Sequence, residues 1–578
     1  MSMLTKRWVL RPPVEQSIIR QYRDVHPIIA QILYHRGVRT AAEAHHFLYD
    51  KELVLNPFAM KDMQKAVDRI RHAIKHDELI YVYGDFDADG VTSTTLMMEL
   101  LNKLRANARA YIPHRVDEGY GLNTPALQDI ASKGATLVIT VDCGIRSVQE
   151  IDEAQAQGLD VIITDHHSVG PEIPDACAVI NPQQADCNGD PTLAGVGVAL
   201  MLARGLLLDA WKRNGRQKAH LDVYSGIIAD LMDLVAIGTV ADVMPLNSPT
   251  NRALVRQGLD VINRARRPGV RALMDVAGVK AGQATAMSIG FGFGPRINAA
   301  GRLASAITAY HLLAAEDDVS ARKYADKLQK LNQKRQQLTR EAEARVHHHL
   351  EADQVNDADL IFAVDEEVVP GIVGLVAGRL TEAYYRPAVV VEMGADACHA
   401  SCRSIPQFHI TQALDECADL LVRHGGHAMA AGLTVLPENL HALQSYLQSK
   451  ARAVLDGQDL TPTLDIDMEL SFRHVDMALA QELSVLEPTG HENQPPLFLT
   501  RNMQIIDARG VGKNDAHLKL KLSADGQPPV DAIGFRLGAW LQDMPDCIDV
   551  AYHLEVNEWQ GRRNPQLNIR DIRPAEDT

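Results

Sequence analysis

Between residues 79 and 245 the chain alternates two apolar patterns. Short continuous runs, LIYVY (79–83), ARAYIP (108–113), TLVITV (136–141), DVIIT (160–164), CAVI (177–180) and LVAIGTV (234–240), are rich in Val, Ile and Tyr. Stretches of helical spacing separate them. Strands apolar on both faces, with helices between, predict a parallel sheet covered on both sides. Upstream, IIRQYRDVHPIIAQILYHRGV and TAAEAHHFLY read as short amphipathic helices that pack against a core. Downstream, 246–317 is helical in pattern. Residues 318–352 form one long helix without Gly or Pro, with Tyr324, Leu328, Leu331, Leu338, Ala342 and Val346 on its apolar stripe. It is expected to join two lobes. The second lobe, 353–457, has strands at 359–364 and 387–393 around a helix that begins GIVGLVAGRL. From 458 to 578, short alternating strands with Gly and Pro turns predict a small closed barrel.

The polar residues between these runs are not random loop residues. The first strand ends in GDFDADG, with Asp85, Asp87 and Asp89 at every second position. The third ends in Asp142, Cys143 and Gly144, the fourth in Asp165, His166 and His167, and LVAIGTV leads to Asp242. Strand ends of an open parallel sheet share one edge, where such folds bind ligands. Clustered carboxylates repel one another, and a divalent cation resolves that repulsion. Acids with imidazoles suit Mn²⁺ or Mg²⁺. Two ions about 3.5–4 Å apart, sharing a bridging carboxylate, activate water for attack on phosphorus. Cys143 reads as a small packing residue beside this site.

Composition narrows the classes. With 578 residues, three or four domains are expected, and the net charge of -16 argues against a protein that coats duplex nucleic acid by bulk charge. Seven Cys without paired CxxC spacing fit a reducing cytoplasm. No run reaches the roughly 18 apolar residues of a membrane span. MSMLTKRWVLRPP lacks an apolar signal core, so no membrane is expected.

Further segments carry phosphate or base chemistry. In RVDEGYGLN, Tyr120 offers a stacking face. Arg252, Arg256, Arg264, Arg266, Arg267 and Arg271 form a basic cluster, of which Arg264, Arg266 and Arg267 are expected on a solvated face. GPRINAAGR (294–302) reads as a phosphate-binding loop facing the metals, with Arg296, Asn298 and Arg302. ASCRS offers Ser401 and Arg403, two apart on an extended segment, as a grip on a terminal phosphate. GGHAMAAG places His427 in a turn. On the barrel, Lys513, His517, Lys519, Lys521, Arg562 and Arg563 with Phe535 and Trp559 can line a strand-binding face.

DFDADG, VDCG, the Asp165-His166-His167 triplet and GTVADV resemble the four motifs of the DHH phosphoesterase superfamily. With RVDEGYGLN, LAGVGVA, GPRINAAGR, ASCRS, GGHAMAAG and DIRP, the chain resembles the RecJ single-strand-specific exonucleases from about 20 to 574. The resemblance implies a DHH catalytic domain with N-terminal helices (1–317), a connecting helix (318–352), a DHH-associated nucleic-acid-binding domain (353–457) and an OB-fold barrel (458–578). It implies metal ligands Asp85, Asp87, Asp89, Asp142, His166 and Asp242, with Asp142 bridging and also catalytic. His167 lies beside the scissile phosphate, Asp165 orients a His ring, and His427 faces the metals. The implied activity is 5′-to-3′ hydrolysis of single-stranded DNA to mononucleotides in repair and recombination, by a monomer that meets a single-strand-binding protein and a repair helicase. Cys143 stands where many relatives have Asn, and Val369 near where many have His. The rival reading is a DHH phosphodiesterase for short oligonucleotides or cyclic dinucleotides, which needs neither barrel nor strut.

Overall fold

The structure is a computed structural model that describes residues 5–51, 55–115, 117–119, 121–352, 358–394, 396–559 and 561–575. It divides into two compact units: Met1–Thr5, Val54–Met244 and Gln257–Pro462 form one, and Lys6–Leu53, Pro245–Arg256 and Thr463–Thr578 the other.

In the first unit five runs form a parallel sheet in the order Ala108–Tyr111, Leu79–Gly84, Ala135–Val141, Asp160–Thr164, Ala178–Ile180. Tyr81, Tyr83, Val138, Val161 and Ile163 pack on one side against Leu127, Ile130, Ile151 and Ala154 of helices Thr124–Ser132 and Val148–Ala156. Ile80, Val82, Leu137 and Ile139, of opposite parity, are also buried. Both faces are therefore covered, as the unbroken Val/Ile runs require. The strand order reverses between Leu79–Gly84 and Ala135–Val141, so a crevice opens beyond their carboxyl ends.

The expected strand at 234–240 is instead part of helix Lys218–Ala241. Leu231 to Thr239 are buried there against helices Ala88–Lys103 and Gly195–Arg213. An apolar run enclosed by other helices has the same local pattern as a buried strand. By length and a window hydropathy of 1.6 this helix also passes for a membrane span, the one such helix among the described residues. Half of that window is buried in the protein, and its Asp233 is ion-paired with Arg267 at 2.7 Å. It is a core helix.

GPRINAAGR is likewise a helix, Gly294–Leu303, entered through a π-helical turn Ser288–Phe293. Its Pro lies at the amino end, where a missing N–H costs nothing. Helix Asp318–Ala352 forms as expected. The second lobe holds a five-stranded sheet in the order Leu421–His427, Ala430–Val435, Cys398–Arg403, Ala388–Glu392, Ile361–Asp365, with helix Val373–Tyr384 packed on it.

The second unit is built on a barrel of strands Phe498–Val511, His517–Ser523, Val530–Gly534, Arg562–Pro574 and Cys547–Trp559, closed by pairing of the first with the last. Its core is continuous with Ile29, Ile32, Leu33 and Phe47 of helices Pro27–His35 and Ala41–Tyr49. Residues 6–53 therefore group with the barrel, not with the parallel sheet as expected. Arg252 is buried here and donates to the carbonyls of Phe47, Leu246, Leu486, Glu487 and Pro488 at 3.0–3.2 Å. Arg256 is spent on the carbonyls of Asp50 and Glu487. These two guanidinium groups satisfy backbone rather than phosphate. Phe535 is 55% exposed, with the His517 ring 5.3 Å away, so it does not fill the barrel. The Trp559 side chain lies outside the described set.

Candidate metal centre

The acids of the first strand end occupy three different positions. Asp85 is buried directly after the strand. Asp87 caps helix Ala88–Lys103, its Oδ1 accepting from Asp89 N at 2.9 Å and Gly90 N at 3.0 Å. Asp89, in the first turn, accepts from Gly195 N at 2.6 Å and Val196 N at 2.9 Å, the first N–H groups of helix Gly195–Arg213. Both helix dipoles favour negative charge there.

Asp142 follows the neighbouring strand in a left-handed conformation, φ 64°. Helix Gly195–Arg213 comes so close that a Cβ on Gly195 would lie 2.6 Å from Asp142 Cβ. Asp165 ends the next strand and accepts from the His166 and His167 N–H groups, from His167 Nδ1 at 2.8 Å and from Ile145 N at 3.0 Å. It orients the His167 ring, as expected, and turns Nε2 away from itself. Asp242 reaches the site from the C-cap of helix Lys218–Ala241, not from a strand. The edge therefore takes three strand ends and one helix end.

These side chains converge. His166 Nε2 is 3.1 Å from Asp142 Oδ1, 3.5 Å from Asp242 Oδ2 and 3.8 Å from Asp89 Oδ2. Ligand atoms of Asp85, Asp87 and Asp142 lie within 4.8 Å of one another, as do those of Asp89, His166 and Asp242, and of Asp142, His166 and His167. Asp85 Oδ1, Asp142 Oδ1 and His166 Nε2 are buried without a hydrogen-bond partner. The His166–Asp142 pair is close but not aligned as a hydrogen bond. Lone pairs buried facing one another are costly unless a cation lies between them. The donor set, five carboxylates and one imidazole around a shared Asp142, fits two hard divalent ions.

Burial, and then the neighbouring carboxylates, push Asp85, Asp142 and Asp242 well above the usual carboxylate range and Asp89 up to about 7. Burial, with the His167 charge second, holds His166 down at about 4, so its ring is neutral at neutral pH, the form that ligates. Burial lowers His167 too, but its hydrogen bond to Asp165 and the charges of Asp165, Asp85 and Asp87 outweigh it and leave it raised. Cys143 is fully buried, its thiol pushed well up by burial, with Sγ 3.8 Å from the Tyr83 carbonyl. It packs beside the site and belongs to none of the ligand groups.

Beside the cluster is a cavity of about 380 Å³ lined by Asp85, Phe86, Asp87, Arg115, His167, Asn298 and Arg302. Asn298 Oδ1 accepts from Ala88 N at 2.7 Å. Arg302 donates to Gly371 O at 2.9 Å, where the second lobe meets the helix. Ser401 and Arg403 stand against Gly374, at the start of helix Val373–Tyr384. Burial, and then the charges of Arg115, Arg335 and Arg403, lower Arg302 to about 10 against the opposing pull of Asp87. Arg115 and Arg302 thus stand beside the acids in the cavity wall, with Arg403 close enough to repel both. Arg115 did not stand out in the sequence. It lies over Phe86, 4.7 Å from the ring centroid, and opens the segment in which only Tyr120 had been singled out. Its turn is clasped by Glu118, which accepts from His114 N at 2.6 Å, Tyr111 Oη at 2.6 Å and Asn123 Nδ2 at 3.1 Å.

Other expected residues are placed elsewhere. Arg296 donates to Gln329 Oε1, Gly292 O and Val276 O at 2.7–3.0 Å and does not line the cavity. Arg267, expected in solvent, is paired with Asp233 and Glu99. His427 is exposed and ends a strand rather than lying in the turn, and it is not among the cavity's lining residues. Tyr120 lies outside the described residues.

A switch-point edge bearing this donor set defines a phosphoesterase core of the DHH class. The DHH family N-terminal domain matches residues 79–239, the DHHA1 domain 357–453 and the RecJ OB domain 466–571. The single-stranded-DNA-specific exonuclease RecJ of Bacillus subtilis is 37% identical, over 99% of this chain and 71% of its own. That of Dickeya dadantii is 35% identical over 98% of both. The crystal structure of Thermus thermophilus RecJ with Mn²⁺ aligns at a TM-score of 0.80 and 30% identity, covering 99% of this chain and 80% of that one; the same protein with Mg²⁺ aligns at 0.76 and 28%, covering 99% and 79%. The chain belongs to the RecJ family.

Proposed function

We propose that the protein is a metal-dependent exonuclease that degrades single-stranded DNA from the 5′ end, releasing mononucleotides in repair and recombination. The observation that carries this reading is the cavity at the sheet edge, lined by Asp85 and Asp87 of the two-ion donor set and by Arg115 and Arg302. Asp85, Asp87 and Asp142 would hold one ion, and Asp89, His166 and Asp242 the second, with Asp142 within reach of both. Mn²⁺ or Mg²⁺ there supplies a more acidic water and offsets charge on the reacting phosphate.

The chain's own residues do the rest. Asp165 holds His167 by Nδ1, leaving Nε2 to face a phosphate oxygen. The Nδ1 hydrogen bond to Asp165 at 2.8 Å fixes the ring in that orientation. Arg115, Arg302 and Arg403, with Ser401, take the terminal phosphate, and Asn298 steadies the wall between phosphate and acids. A terminal phosphate held there sets the next phosphodiester over the donor set, which gives both polarity and product size. Residues 54–317 carry the chemistry in this reading, 353–457 the grip and 458–578 the single strand. The barrel and second lobe favour a long strand over a cyclic dinucleotide. A monomer in the cytoplasm, working with a single-strand-binding protein and a helicase that supplies single strands, completes the proposal.

The test is digestion of an internally labelled oligonucleotide with and without a 5′ phosphate, with Mn²⁺ and Mg²⁺ supplied separately. The phosphorylated substrate is expected to react faster, and Arg403→Ala to erase the difference. Equal rates on both substrates in the parent protein remove the grip from the mechanism.

A further inference from the structure

A second group of ligand-type side chains lies at the opposite end of strand Leu79–Gly84, about 20 Å from the acids at a rise of about 3.3 Å per residue. His72 lies in the last turn of helix Met63–Lys75, and His76 is its C-cap. Glu78 immediately precedes the strand. One ligand atom from each of the three lies within 4.8 Å of the others.

Each side chain is already aimed. His76 Nδ1 is 2.8 Å from the His72 carbonyl oxygen, so Nδ1 carries the proton and donates, and Nε2 keeps its lone pair. Glu78 Oε2 accepts from Thr136 Oγ1 at 2.6 Å and Arg69 Nη2 at 2.8 Å, which leaves Oε1 turned toward the imidazoles. His72 Nε2 is 3.3 Å from Glu78 Oε1. Adjacent ligands on a tetrahedral ion with bonds of about 2.0–2.1 Å are about 3.3 Å apart, so this pair already spans one tetrahedral edge. The helix carboxyl end, where carbonyl oxygens point outward, also favours a cation.

We infer that His72, His76 and Glu78 form a surface site for one Zn²⁺ ion, which ties the end of helix Met63–Lys75 to the start of strand Leu79–Gly84. Two imidazoles and one carboxylate select a borderline ion such as Zn²⁺, whereas the acid-rich centre suits Mg²⁺ or Mn²⁺. Zn²⁺ gains more than Mg²⁺ from nitrogen ligands, so a large excess of Mg²⁺ favours the acid-rich centre while leaving the two-imidazole site to zinc. Water completes the fourth position, because His72 and His76 are exposed.

The experiment is equilibrium dialysis of the full chain against Zn²⁺ with Mg²⁺ in large excess, counting bound zinc per chain by mass spectrometry. The parent is expected to hold one more zinc than His72→Ala/His76→Ala, and only the parent's melting midpoint should rise with zinc. Hydrolysis of single-stranded DNA with Mg²⁺ alone should be unchanged in the variant, which shows that it is folded. The milder His76→Gln is expected to lose the same equivalent. Equal zinc counts in parent and both variants would overturn the site and leave His72–Glu78 an ordinary surface pair.

Discussion

Replacing Gly195 by Ala tests whether helix Gly195–Arg213 sets the position of the metal-binding acids. A Cβ built there lies 2.6 Å from Asp142 Cβ, 2.7 Å from its Oδ1 and 2.8 Å from its Cγ. Carbon contacts settle at about 3.5–4.0 Å, so a movement of roughly 1 Å is required. Asp142 cannot yield freely, since its N–H is bonded to Thr164 O at 2.9 Å. Gly195 cannot either, because its own N–H holds Asp89 at 2.6 Å. The displacement therefore reaches acids of both proposed ion sites. A misplacement of about 1 Å in a reacting constellation costs on the order of 10²-fold in rate, equivalent to about 2.7 kcal/mol. Stability should change less: overpacking costs about 1–3 kcal/mol, offset by up to about 1 kcal/mol when Ala replaces Gly in a helix. The control is Gly226→Ala in helix Lys218–Ala241, where an added Cβ meets nothing within 4 Å; it should be neutral or stabilising by up to about 1 kcal/mol with full activity. Single-turnover digestion, calorimetric Mn²⁺ titration and thermal melting report the three quantities. Hydrolysis within about threefold of the parent, with an unchanged Mn²⁺ titration, would refute the claim that this contact positions Asp142.

Asp142→Ala removes the shared ligand and should lower hydrolysis by at least about 10³-fold, as should a chelator on the parent, both read by release of labelled nucleotide. Glu118→Ala unties the turn that carries Arg115 and should reduce the preference for a 5′ phosphate about tenfold through KM, whereas Glu118→Gln keeps an accepting oxygen and should recover part of it. An unchanged preference in Glu118→Ala would mean that the clasp does not position Arg115. Arg252→Met takes the guanidinium donor from the Phe47 and Leu246 carbonyls, while Leu486 and Pro488 keep Asn493 and Glu487 keeps Arg256. At about 1–3 kcal/mol for each buried group left unsatisfied, it should destabilise the second unit by about 2–5 kcal/mol in urea unfolding, and a midpoint equal to the parent's would show that those two carbonyls find other donors.

The parallel sheet was legible because its three central strands, Leu79–Gly84, Ala135–Val141 and Asp160–Thr164, are largely buried apolar runs that stop at an acid. Asp85, Asp142 and Asp165 follow such stops directly. Asp242 was found for a partly wrong reason: the run before it is a helix enclosed by helices, and its local pattern is that of a buried strand. The same limit hid the long apolar span within Lys218–Ala241. Arg296 was misplaced because GPRINAAGR was read as a loop. On a helix, Asn298 and Arg302 are four apart and share one face, while Arg296 is about 200° from Asn298. The two residues on the shared face line the cavity, and Arg296 does not. Arg115 could not be read from period or spacing, since it sits in a turn with neither. Residues 6–53 do pack against a core as the sequence suggested, but that core belongs to the barrel, a pairing about 450 residues distant in the chain.

Three acids at the metal centre are aimed by main-chain N–H groups: Asp87 by Asp89 and Gly90, Asp89 by Gly195 and Val196, Asp165 by Ile145, His166 and His167. Scaffolding of this kind does not depend on which ion arrives. Aim set by the main chain is in place before any ion arrives, so filling the centre costs these side chains little conformational freedom.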